Sequence, residues 1–249
     1  MVTLATGFFD GVHLGHQAIL EGADAALTFL EHPLTVLAPE KAPRLLMSFE
    51  ERIRAIARPV TVLNFTSELA GTSAADFAER YLKGFKVRCG QNWRFGKGGE
   101  GCPEWLKAHG YEVEVVKEVE YKGEAISSSR IRAALERGEM EEVAAMLARP
   151  YSVGGAVAAG KGEGRNIGYP TLNLEPAREI NLREGVYSAI VNYGKAPTFG
   201  ERAWKRPVLE AHLVKFLREE RKFSSPEELK AQIAADLERC GAVQSPKTI

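Results

Sequence analysis

The N-terminal segment constrains the fold of this chain more than any other part of it. Residues 2–6 are a short apolar run typical of a buried strand, residues 7–16 are a glycine-rich turn with two histidines, and residues 17–26 favour a helix. This order opens an α/β unit, in which parallel strands alternate with helices that cover the sheet. The chain has 249 residues, which is room for one large domain or two small ones.

Later segments continue this alternation. Ser48 and Glu51 have the spacing of a helix capping box, and Ser73 and Asp76 repeat it. Further predicted elements are a strand at 60–63, a helix at 103–110, a strand at 112–115 and helices at 127–137 and 140–147. The pattern therefore predicts a mainly parallel sheet wrapped by helices.

The pattern changes in the last part of the chain. Residues 151–157 and 185–191 predict strands separated by glycine-rich turns, and a capped helix is expected at 225–240. The absence of a helical pattern between the strands favours a small β-barrel or sandwich. We therefore expect a boundary near Pro150, with an α/β domain at 1–149 and a β domain with a terminal helix at 150–249.

Composition argues against several classes of protein. The 33 Lys and Arg residues balance the 33 Asp and Glu residues, and zero net charge disfavours a dedicated binder of nucleic acid or of an anionic membrane. No apolar run is long enough to span a bilayer and the first residues lack the basic region of a signal peptide, so we expect a cytoplasmic protein. The three cysteines form no Cys-x-x-Cys pair, which argues against a disulfide framework or a cysteine zinc site.

Two histidines, His13 and His16, stand where the first strand gives way to a helix. Both imidazoles can face an anion at the helix N-terminus, and Gly11 and Gly15 let the backbone approach that anion closely. Imidazole N–H groups can stabilise the charge that develops on a phosphorus centre, so the spacing predicts a phosphate-transfer site. The alternative is that one histidine caps the helix and the other lies in the core. A zinc site is less well supported, because no third ligand is close in sequence.

A second candidate anion site is the serine run at 127–129. Hydroxyls and free amides at a helix start, followed by Arg130 and Arg132, can form a clamp for phosphate oxygens. The alternative is an ordinary serine cap with solvated arginines.

A glycine-rich stretch at 160–168 is the candidate site of the second half. Its glycines allow close backbone approach to phosphate oxygens, although the Gly-Lys-Ser/Thr end of a Walker loop is absent. Thr171 and Asn173 place two oxygen donors on one side of an extended segment, which suits magnesium or phosphate. The alternative is a flexible hairpin turn.

The N-terminal motifs together resemble the bacterial FAD synthetases, a branch of the His-x-Gly-His nucleotidyltransferases. The resemblance rests on the turn at 7–16, on His32-Pro33, on Gly-Gln-Asn-Trp-Arg-Phe-Gly at 90–96 and on Ile-Ser-Ser-Ser-Arg-Ile-Arg at 126–132. It implies a Rossmann-like domain that transfers an adenylyl group from ATP to FMN and releases pyrophosphate, with His13 and His16 as catalytic residues.

The same resemblance implies the residues that surround the substrates. Those on the flavin side are Asn92, Arg94 and Phe95. Those that hold ATP or its phosphates are Gly7, Phe8, Asp10, Gly11, Gly15, His32, Ser128, Ser129, Arg130 and Arg132. For Asp10 two roles stay open, because a carboxylate there can help to hold magnesium or can fix the turn.

The C-terminal motifs resemble the riboflavin kinases, whose signature Gly-Arg-x-x-Gly-x-Pro-Thr-x-Asn matches residues 164–173. The resemblance implies a six-stranded β-barrel that transfers the γ-phosphoryl group of ATP to the ribityl hydroxyl of riboflavin. It implies that Thr171 and Asn173 hold Mg²⁺ with ATP and that Glu210 is the general base, which agrees with the requirements of phosphoryl transfer. The residues implied to contact ATP are Gly164, Arg165, Gly168 and Pro170.

Together the two resemblances cover nearly the whole chain, in the order of the bifunctional riboflavin kinase/FAD synthetases. They imply riboflavin, FMN and ATP as small-molecule partners and Mg²⁺ as cofactor, with no nucleic-acid or membrane partner and with a homo-oligomer left open. The chain is shorter than the family pattern within 16–28, within 191–196 and after residue 216.

Two alternatives to this two-step enzyme stay open. One is an FMN adenylyltransferase whose barrel has lost kinase activity, and the other is a flavin-binding or regulatory module without turnover. A third alternative is a His-x-Gly-His transferase that acts on pantetheine phosphate or nicotinamide mononucleotide. The Pro-Thr-x-Asn segment argues against this last alternative, because such an enzyme has no use for a riboflavin kinase barrel.

Overall fold

The computed structural model describes residues 1–160, 164, 167–194 and 208–241. The chain divides into two compact units, residues 1–130 and 131–249. The domain boundary expected near Pro150 stays a prediction. Within the described ranges, no helix is both long enough and apolar enough to cross a membrane.

A five-stranded parallel sheet forms the centre of the first unit, all of whose residues are described. In chain order the strands are β1 (Val2–Thr6), β2 (Ala25–Phe29), β3 (Val60–Leu63), β4 (Phe85–Gly90) and β5 (Val113–Val116). Their order across the sheet is β3-β2-β1-β4-β5, and every neighbouring pair is parallel. The chain thus runs from β1 toward one edge and then returns to the other side of β1. Such a reversal opens a ligand crevice at the carboxyl end of the central strand.

Short helices connect these strands, and a further helix, Ser128–Arg137, follows the last of them. They are α1 (Leu14–Leu20), α2 (Leu34–Leu37), α3 (Phe49–Ile56), α4 (Ser67–Ala70), α5 (Ala74–Tyr81), α6 (Pro103–Ala108) and α7 (Ser128–Arg137), with 3-10 turns at Pro39–Lys41 and Lys97–Gly99. A small hairpin of β6 (Glu120–Tyr121) and β7 (Glu124–Ala125) precedes α7. Both predicted helix caps form, since the Ser48 and Ser73 side chains accept hydrogen bonds from the third N–H of α3 and of α5.

The helices bury both faces of the sheet. Leu4 of β1 packs with Phe77 of α5 and Leu106 of α6, while the next residue, Ala5, packs on the opposite face with Ile56 of α3. Parallel sheets are normally covered on both faces in this way. The expected α/β architecture is confirmed.

The extent of the first predicted helix was wrong. The sequence predicts helix over 17–26, but α1 ends at Leu20 and β2 begins at Ala25. The alanines of β2 favour a helix locally, and pairing with β1 on one side and β3 on the other overrides that preference.

The described residues of the second unit form a four-stranded antiparallel sheet. Its strands are β8 (Tyr151–Ala158), β9 (Asn173–Pro176), β10 (Val186–Gly194) and β11 (Val208–Arg218), in the order β10-β11-β8-β9. Helix α8 (Met140–Leu147) packs on β8 and β11, and α9 (Pro226–Gly241) ends the described chain. The predicted β domain with a terminal helix is confirmed, and four strands of the implied barrel lie within the described ranges, all paired antiparallel.

A buried ion pair fastens α9 to the sheet. The Arg218 guanidinium donates hydrogen bonds to the Asp236 carboxylate at 2.7 and 2.9 Å, and Asp236 is 7% exposed. Gln232 donates a further hydrogen bond to the same carboxylate at 2.9 Å. These hydrogen bonds, that from Arg218 above all, hold the pKa of Asp236 below its usual value although burial acts in the opposite direction.

Replacement of Asp236 by Ala should lower the free energy of unfolding of this unit by about 2–3 kcal/mol, because a partly buried guanidinium loses its charged partner. Folding lowers the pKa of Asp236, so the ion pair stabilises the protein at neutral pH and this contribution is lost as the pH falls below about 4. Urea unfolding at pH 7 and at pH 3 measures both effects. The matched control is Glu238→Ala, an exposed position on the same helix, which should change stability by less than about 0.5 kcal/mol. Equal losses in the two variants would contradict the assigned role.

Candidate active sites

The turn between β1 and α1 has a strained and buried backbone. Phe9 (φ 60°) and Val12 (φ 39°) adopt left-handed conformations that are uncommon for residues with a Cβ. Their side chains are 0% and 2% exposed, so core packing holds the turn in place. Strain that is retained by packing is typical of functional sites. The Asp10 carboxylate accepts a hydrogen bond from the Leu46 N–H at 2.9 Å, which supports the role of fixing the turn.

The structure brings His13 and His16 together at the start of α1. His13 caps the helix, because its Nδ1 accepts a hydrogen bond from the His16 N–H at 3.4 Å. The two rings stack with centroids 3.7 Å apart. A Cβ at Gly15 would lie only 3.2 Å from the His13 ring, so glycine leaves room for the stack. His13 can therefore cap α1 and at the same time form an imidazole pair with His16.

The His16 ring is neutral in the free protein. Burial lowers its pKa well below the ordinary value of 6.5, and the neighbouring His13 lowers it further. Its Nδ1 is buried without a hydrogen-bond partner among the described residues. A neutral imidazole still carries one N–H that it can donate to an anion. An anion bound beside the ring would raise this pKa again.

His32 lies against the same turn. It follows β2, and its ring meets the ring of Phe8 edge-on with centroids 4.8 Å apart. The His32 Nδ1 accepts a hydrogen bond from the Leu34 N–H at 3.2 Å, which fixes the orientation of the ring. Gly7 continues the β1–β2 pairing into the turn, since its N–H donates to the Leu27 carbonyl. Two motifs that are separate in sequence are thus adjacent in space.

The start of α7 also reaches this turn, through Ser128. Its hydroxyl donates a hydrogen bond to the Asp10 carbonyl at 2.9 Å. Ser129 is exposed in the first turn of the helix, and Arg132 follows one turn later and is half-buried. Gly11, which follows Asp10 in the sequence, is buried and has a φ angle of 81°.

Arg130 has a different environment from that of Ser128. Its guanidinium donates hydrogen bonds to the Tyr121 carbonyl at 2.9 Å and to the Glu124 carbonyl at 2.7 Å. It also lies 5.7 Å from the centre of the Tyr121 ring. These contacts anchor the β6–β7 hairpin, so Arg130 contributes to the shape of the site in addition to any contact with phosphate.

The predicted flavin-side residues are held in different ways. Phe95 is 6% exposed and stacks on Trp93 with centroids 4.7 Å apart, so it acts through packing. The exposed Asn92 donates to the Glu118 carboxylate at 2.7 Å. The exposed Arg94 donates to the Trp93 carbonyl at 2.9 Å.

The second candidate site begins at the glycine-rich stretch. Tyr169 N–H donates to the Gly164 carbonyl at 2.8 Å, and a Cβ at Gly164 would lie 2.3 Å from the Tyr169 carbonyl oxygen and 3.0 Å from the Thr171 side chain. Only glycine fits there. Gly168 (φ 84°) and Pro170 are exposed, as are Thr171 and Asn173. Arg165 lies outside the described residues.

Glu210 and Asn173 share one face of the antiparallel sheet. Strand β8 lies between them, with Glu210 opposite Gly154 and Asn173 opposite Ala158. Because side chains alternate along a strand, residues 154 and 158 mark the same face. The two positions on β8 are about 13 Å apart along the strand, which leaves space between them for a bound substrate.

Two residues beside Glu210 are absent from the sequence-based prediction. The His212 Nε2 lies 3.6 Å from the Glu210 carboxylate and 3.0 Å from the Asn192 Nδ2. The spacing of two residues places His212 on the same strand face as Glu210, and that spacing was the available signal. Asn192 comes from a different strand, β10, and its proximity follows only from the strand register.

A third unpredicted residue is Arg52 of α3, which is 1% exposed and contacts the turn after β1. It lies three residues after Phe49 and four before Ile56, on the apolar side of the helix. The signal in the sequence that could have identified Arg52 is a charged residue on the apolar side of a predicted helix.

We expect the His16 imidazole to stay neutral as the pH is lowered through 6.5, because burial opposes its protonation. The unfolded chain does bind this proton near pH 6.5, so acidification below that value should lower the free energy of unfolding. NMR titration of the imidazole signals, assigned with His16→Gln, measures the first effect. Unfolding curves of the parent protein and His16→Gln measure the second. A His16 titration midpoint near 6.5 would contradict the burial of this ring.

Two family models match the chain in sequence order. The FAD synthetase model matches residues 1–130, and the riboflavin kinase model matches residues 147–243. The first match covers the turn with His13 and His16, and the second covers Thr171, Asn173 and Glu210.

Curated relatives match over nearly the full length. A protein of Bacillus subtilis (strain 168) named bifunctional riboflavin kinase/FMN adenylyltransferase is 32% identical over 285 residues, covering 94% of this chain and 89% of that protein. A protein of the same name from Escherichia coli (strain K12) is 30% identical over 283 residues, covering 94% of this chain and 90% of that protein. Because these alignments are longer than the 249 residues of this chain, the relatives contain internal segments that it lacks.

A solved structure has a similar fold. The crystal structure of a Streptococcus pneumoniae protein described as a macrolide-efflux protein matches with a TM-score of 0.85 and 27% identity, covering 98% of this chain and 94% of that one. This match supports the arrangement of the strands and helices. The family follows from the sequence models and the curated relatives, and by both measures this chain belongs to the bifunctional riboflavin kinase/FMN adenylyltransferase family.

Proposed function

We propose that the protein makes FAD from riboflavin in two steps. The second unit phosphorylates riboflavin to FMN with ATP, and the first unit transfers an adenylyl group from another ATP to FMN and releases pyrophosphate. The observation that carries the proposal is the match of both family models to one chain, in order, each over a candidate phosphate-transfer site. The shared name of the curated relatives states both activities for those proteins.

In adenylyl transfer a phosphate oxygen of FMN attacks the α-phosphorus of ATP. A P–O bond forms to FMN while the P–O bond to pyrophosphate breaks, so no covalent enzyme intermediate is required. His13 and His16 donate hydrogen bonds to the phosphate oxygens as negative charge develops on them. The neutral state of His16 in the free protein supports this role, because the ring is a hydrogen-bond donor at neutral pH without the need to lose or gain a proton.

ATP is held in this site by the turn, by His32 and by the start of α7. The turn residues we assign to ATP are Gly7, Phe8, Gly11 and Gly15, and the others are His32, Ser128, Ser129 and Arg132. The contact between Ser128 and the Asp10 carbonyl supports this assignment, since it places the first turn of α7 beside the turn after β1. Asn92 and Arg94 are assigned to the flavin side, where Phe95 shapes the site through its packing.

In riboflavin phosphorylation the ribityl hydroxyl of riboflavin attacks the γ-phosphorus of ATP. Glu210 accepts the proton of that hydroxyl, a P–O bond forms to the ribityl oxygen, and ADP leaves. The partly exposed position of Glu210 on the sheet face that also carries Asn173 supports a base role, and His212 lies 3.6 Å from its carboxylate. Gly164, Arg165, Gly168 and Pro170 are assigned to the phosphates of ATP.

Thr171 and Asn173 suit Mg²⁺ in their chemistry. A hydroxyl and an amide oxygen are hard donors, and Mg²⁺ in nucleotide sites takes few protein ligands and completes its shell with phosphate oxygens and water. Both side chains are exposed at the start of β9, where an ATP-bound ion can reach them. When bound, Mg²⁺ would neutralise phosphate charge, while this chain orients ATP toward the hydroxyl.

Incubation of the protein with riboflavin, ATP and Mg²⁺ should give FMN and then FAD, separated by chromatography. His16→Ala should make FMN accumulate and lower the rate of adenylyl transfer by about 10²–10³-fold, because a hydrogen-bond donor to the developing negative charge is lost. Glu210→Gln should lower FMN formation by about 10²–10⁴-fold while the variant still converts supplied FMN into FAD.

Two outcomes of that assay would change the assignment. FAD formed only from supplied FMN would indicate an adenylyltransferase with an inactive kinase unit. Bound flavin without any product would indicate a binding or regulatory module. The control Glu220→Gln, an exposed carboxylate of the second unit, should leave both rates within about twofold of those of the parent protein.

Asn173→Leu should raise the Mg²⁺ concentration that gives half-maximal FMN formation by about tenfold or more, because the amide oxygen is replaced by a group of similar shape that cannot bind a cation. Asn173→Asp keeps an oxygen donor and should retain more activity than Asn173→Leu. FMN production over a Mg²⁺ series measures both variants. Leu172→Ala, at the exposed neighbouring position, is the control. If all three variants have the same Mg²⁺ dependence as the parent protein, Asn173 is not a metal ligand.

A further inference from the structure

Arg52 is a buried cation that connects two segments of the first candidate site. It lies on α3 and is 1% exposed, which makes it one of the largest fully buried side chains in the described chain. Arginine is almost never buried to this extent without a specific set of partners. Its partners therefore indicate why it is there.

The guanidinium donates hydrogen bonds to backbone carbonyls at the carboxyl ends of two strands. Nη1 donates to the Phe8 carbonyl at 3.0 Å, and Nη2 donates to the Phe29 and Leu30 carbonyls at 2.7 and 2.9 Å. Phe8 belongs to the turn that carries His13 and His16, whereas Phe29 and Leu30 lead into His32. A single rigid side chain thus ties together both histidine segments.

A second contact leads from Arg52 to His32 through an aromatic ring. The guanidinium carbon lies 3.9 Å from the centre of the Phe8 ring, within the range of a cation–π interaction. The Phe8 ring in turn meets the His32 ring edge-on at 4.8 Å. Phe8 is therefore held between Arg52 and His32, so the position of His32 depends on the guanidinium through side chains as well as through backbone.

Arg52 also supplies positive charge beside the turn. Burial lowers its pKa to about 10, the nearby Asp10 acts in the opposite direction, and the group is still protonated at pH 7. The hydrogen bonds found for the guanidinium are to carbonyls, which are neutral acceptors. The carboxylate of Asp10 is the charged group that interacts with it, so Arg52 ties the turn together by charge as well as by hydrogen bonds.

We propose that Arg52 is a positioning residue for adenylyl transfer, which fixes the distance between the His13–His16 pair and His32. The proposal rests on the proposed function of the first unit. It predicts that the shape of the guanidinium matters as well as its charge, because a lysine has no planar fork with which to reach both strand ends.

The test compares Arg52→Lys, Arg52→Met and Arg54→Met. Arg54 is an exposed residue of the same helix and is the control. Arg52→Lys should lower kcat of adenylyl transfer by about 10–100-fold with a smaller change in KM, and Arg52→Met should lower it further. FMN formation by the second unit should stay within about twofold in all three variants, which shows in the same sample that the second unit is folded, and a thermal melt reports on the whole chain.

Two further readouts separate positioning from a merely structural role. The imidazole NMR signals of His16 and His32 should shift in both Arg52 variants and stay unchanged in Arg54→Met, in the absence of any substrate. A further variant, Arg52→Ala, leaves space for an added cation. Millimolar methylguanidinium should restore part of its kcat, and ammonium at the same concentration should not.

Adenylyl transfer within twofold of the parent rate in Arg52→Met would overturn the proposal. So would equal losses of both activities that follow the folded fraction in a thermal melt, without rescue by methylguanidinium. If the parent protein itself lacks adenylyl transfer, the proposed function fails instead. In that case unchanged His32 signals in Arg52→Lys would still refute the positioning of His32, and shifted signals would support it.

Discussion

The first site depends on the position of β1 between β2 and β4. Parallel hydrogen bonding on both sides fixes the strand up to its last residues, where Thr6 is paired with Leu27 and Ala5 with Arg88. The turn that follows therefore starts from a rigid point, and its strained backbone can persist. The segment after β2 and the first turn of α7 converge on the same edge of the sheet. The strand order thus assembles a site from residues more than a hundred positions apart.

Elements with strong local signals were predictable from the sequence. Strand β1 and helix α8 have the predicted bounds, and α3 and α5 begin at the predicted serine caps, because an apolar run, a helical apolar pattern or an N-cap serine specifies each of them locally. The sequence predicts helix where β2 begins, and it gives no clear signal for β4. Both strands lie in the middle of the sheet and are stabilised by neighbours on two sides, which is a tertiary effect that a local pattern does not contain.

The candidate sites show the same division between local and distant contacts. The paired imidazoles were predictable, since His13 and His16 lie on one short turn. The hairpin contacts of Arg130 and the strand-end contacts of Arg52 were not, because they join residues through the fold. Phe95 has the correct place in its motif, but its burial gives it a packing role that the motif alone does not reveal.

Gly155 controls the distance between β8 and β9. It faces β9, and a Cβ there would lie 2.0 Å from the Glu175 carbonyl oxygen. No side-chain rotation relieves a clash with backbone, so even one methyl group would push β9 from β8 and move Asn173 away from the sheet face that carries Glu210. The first unit contains no part of this contact. A single substitution at this position would therefore disturb the second candidate site through its backbone and leave the residues of the first candidate site untouched.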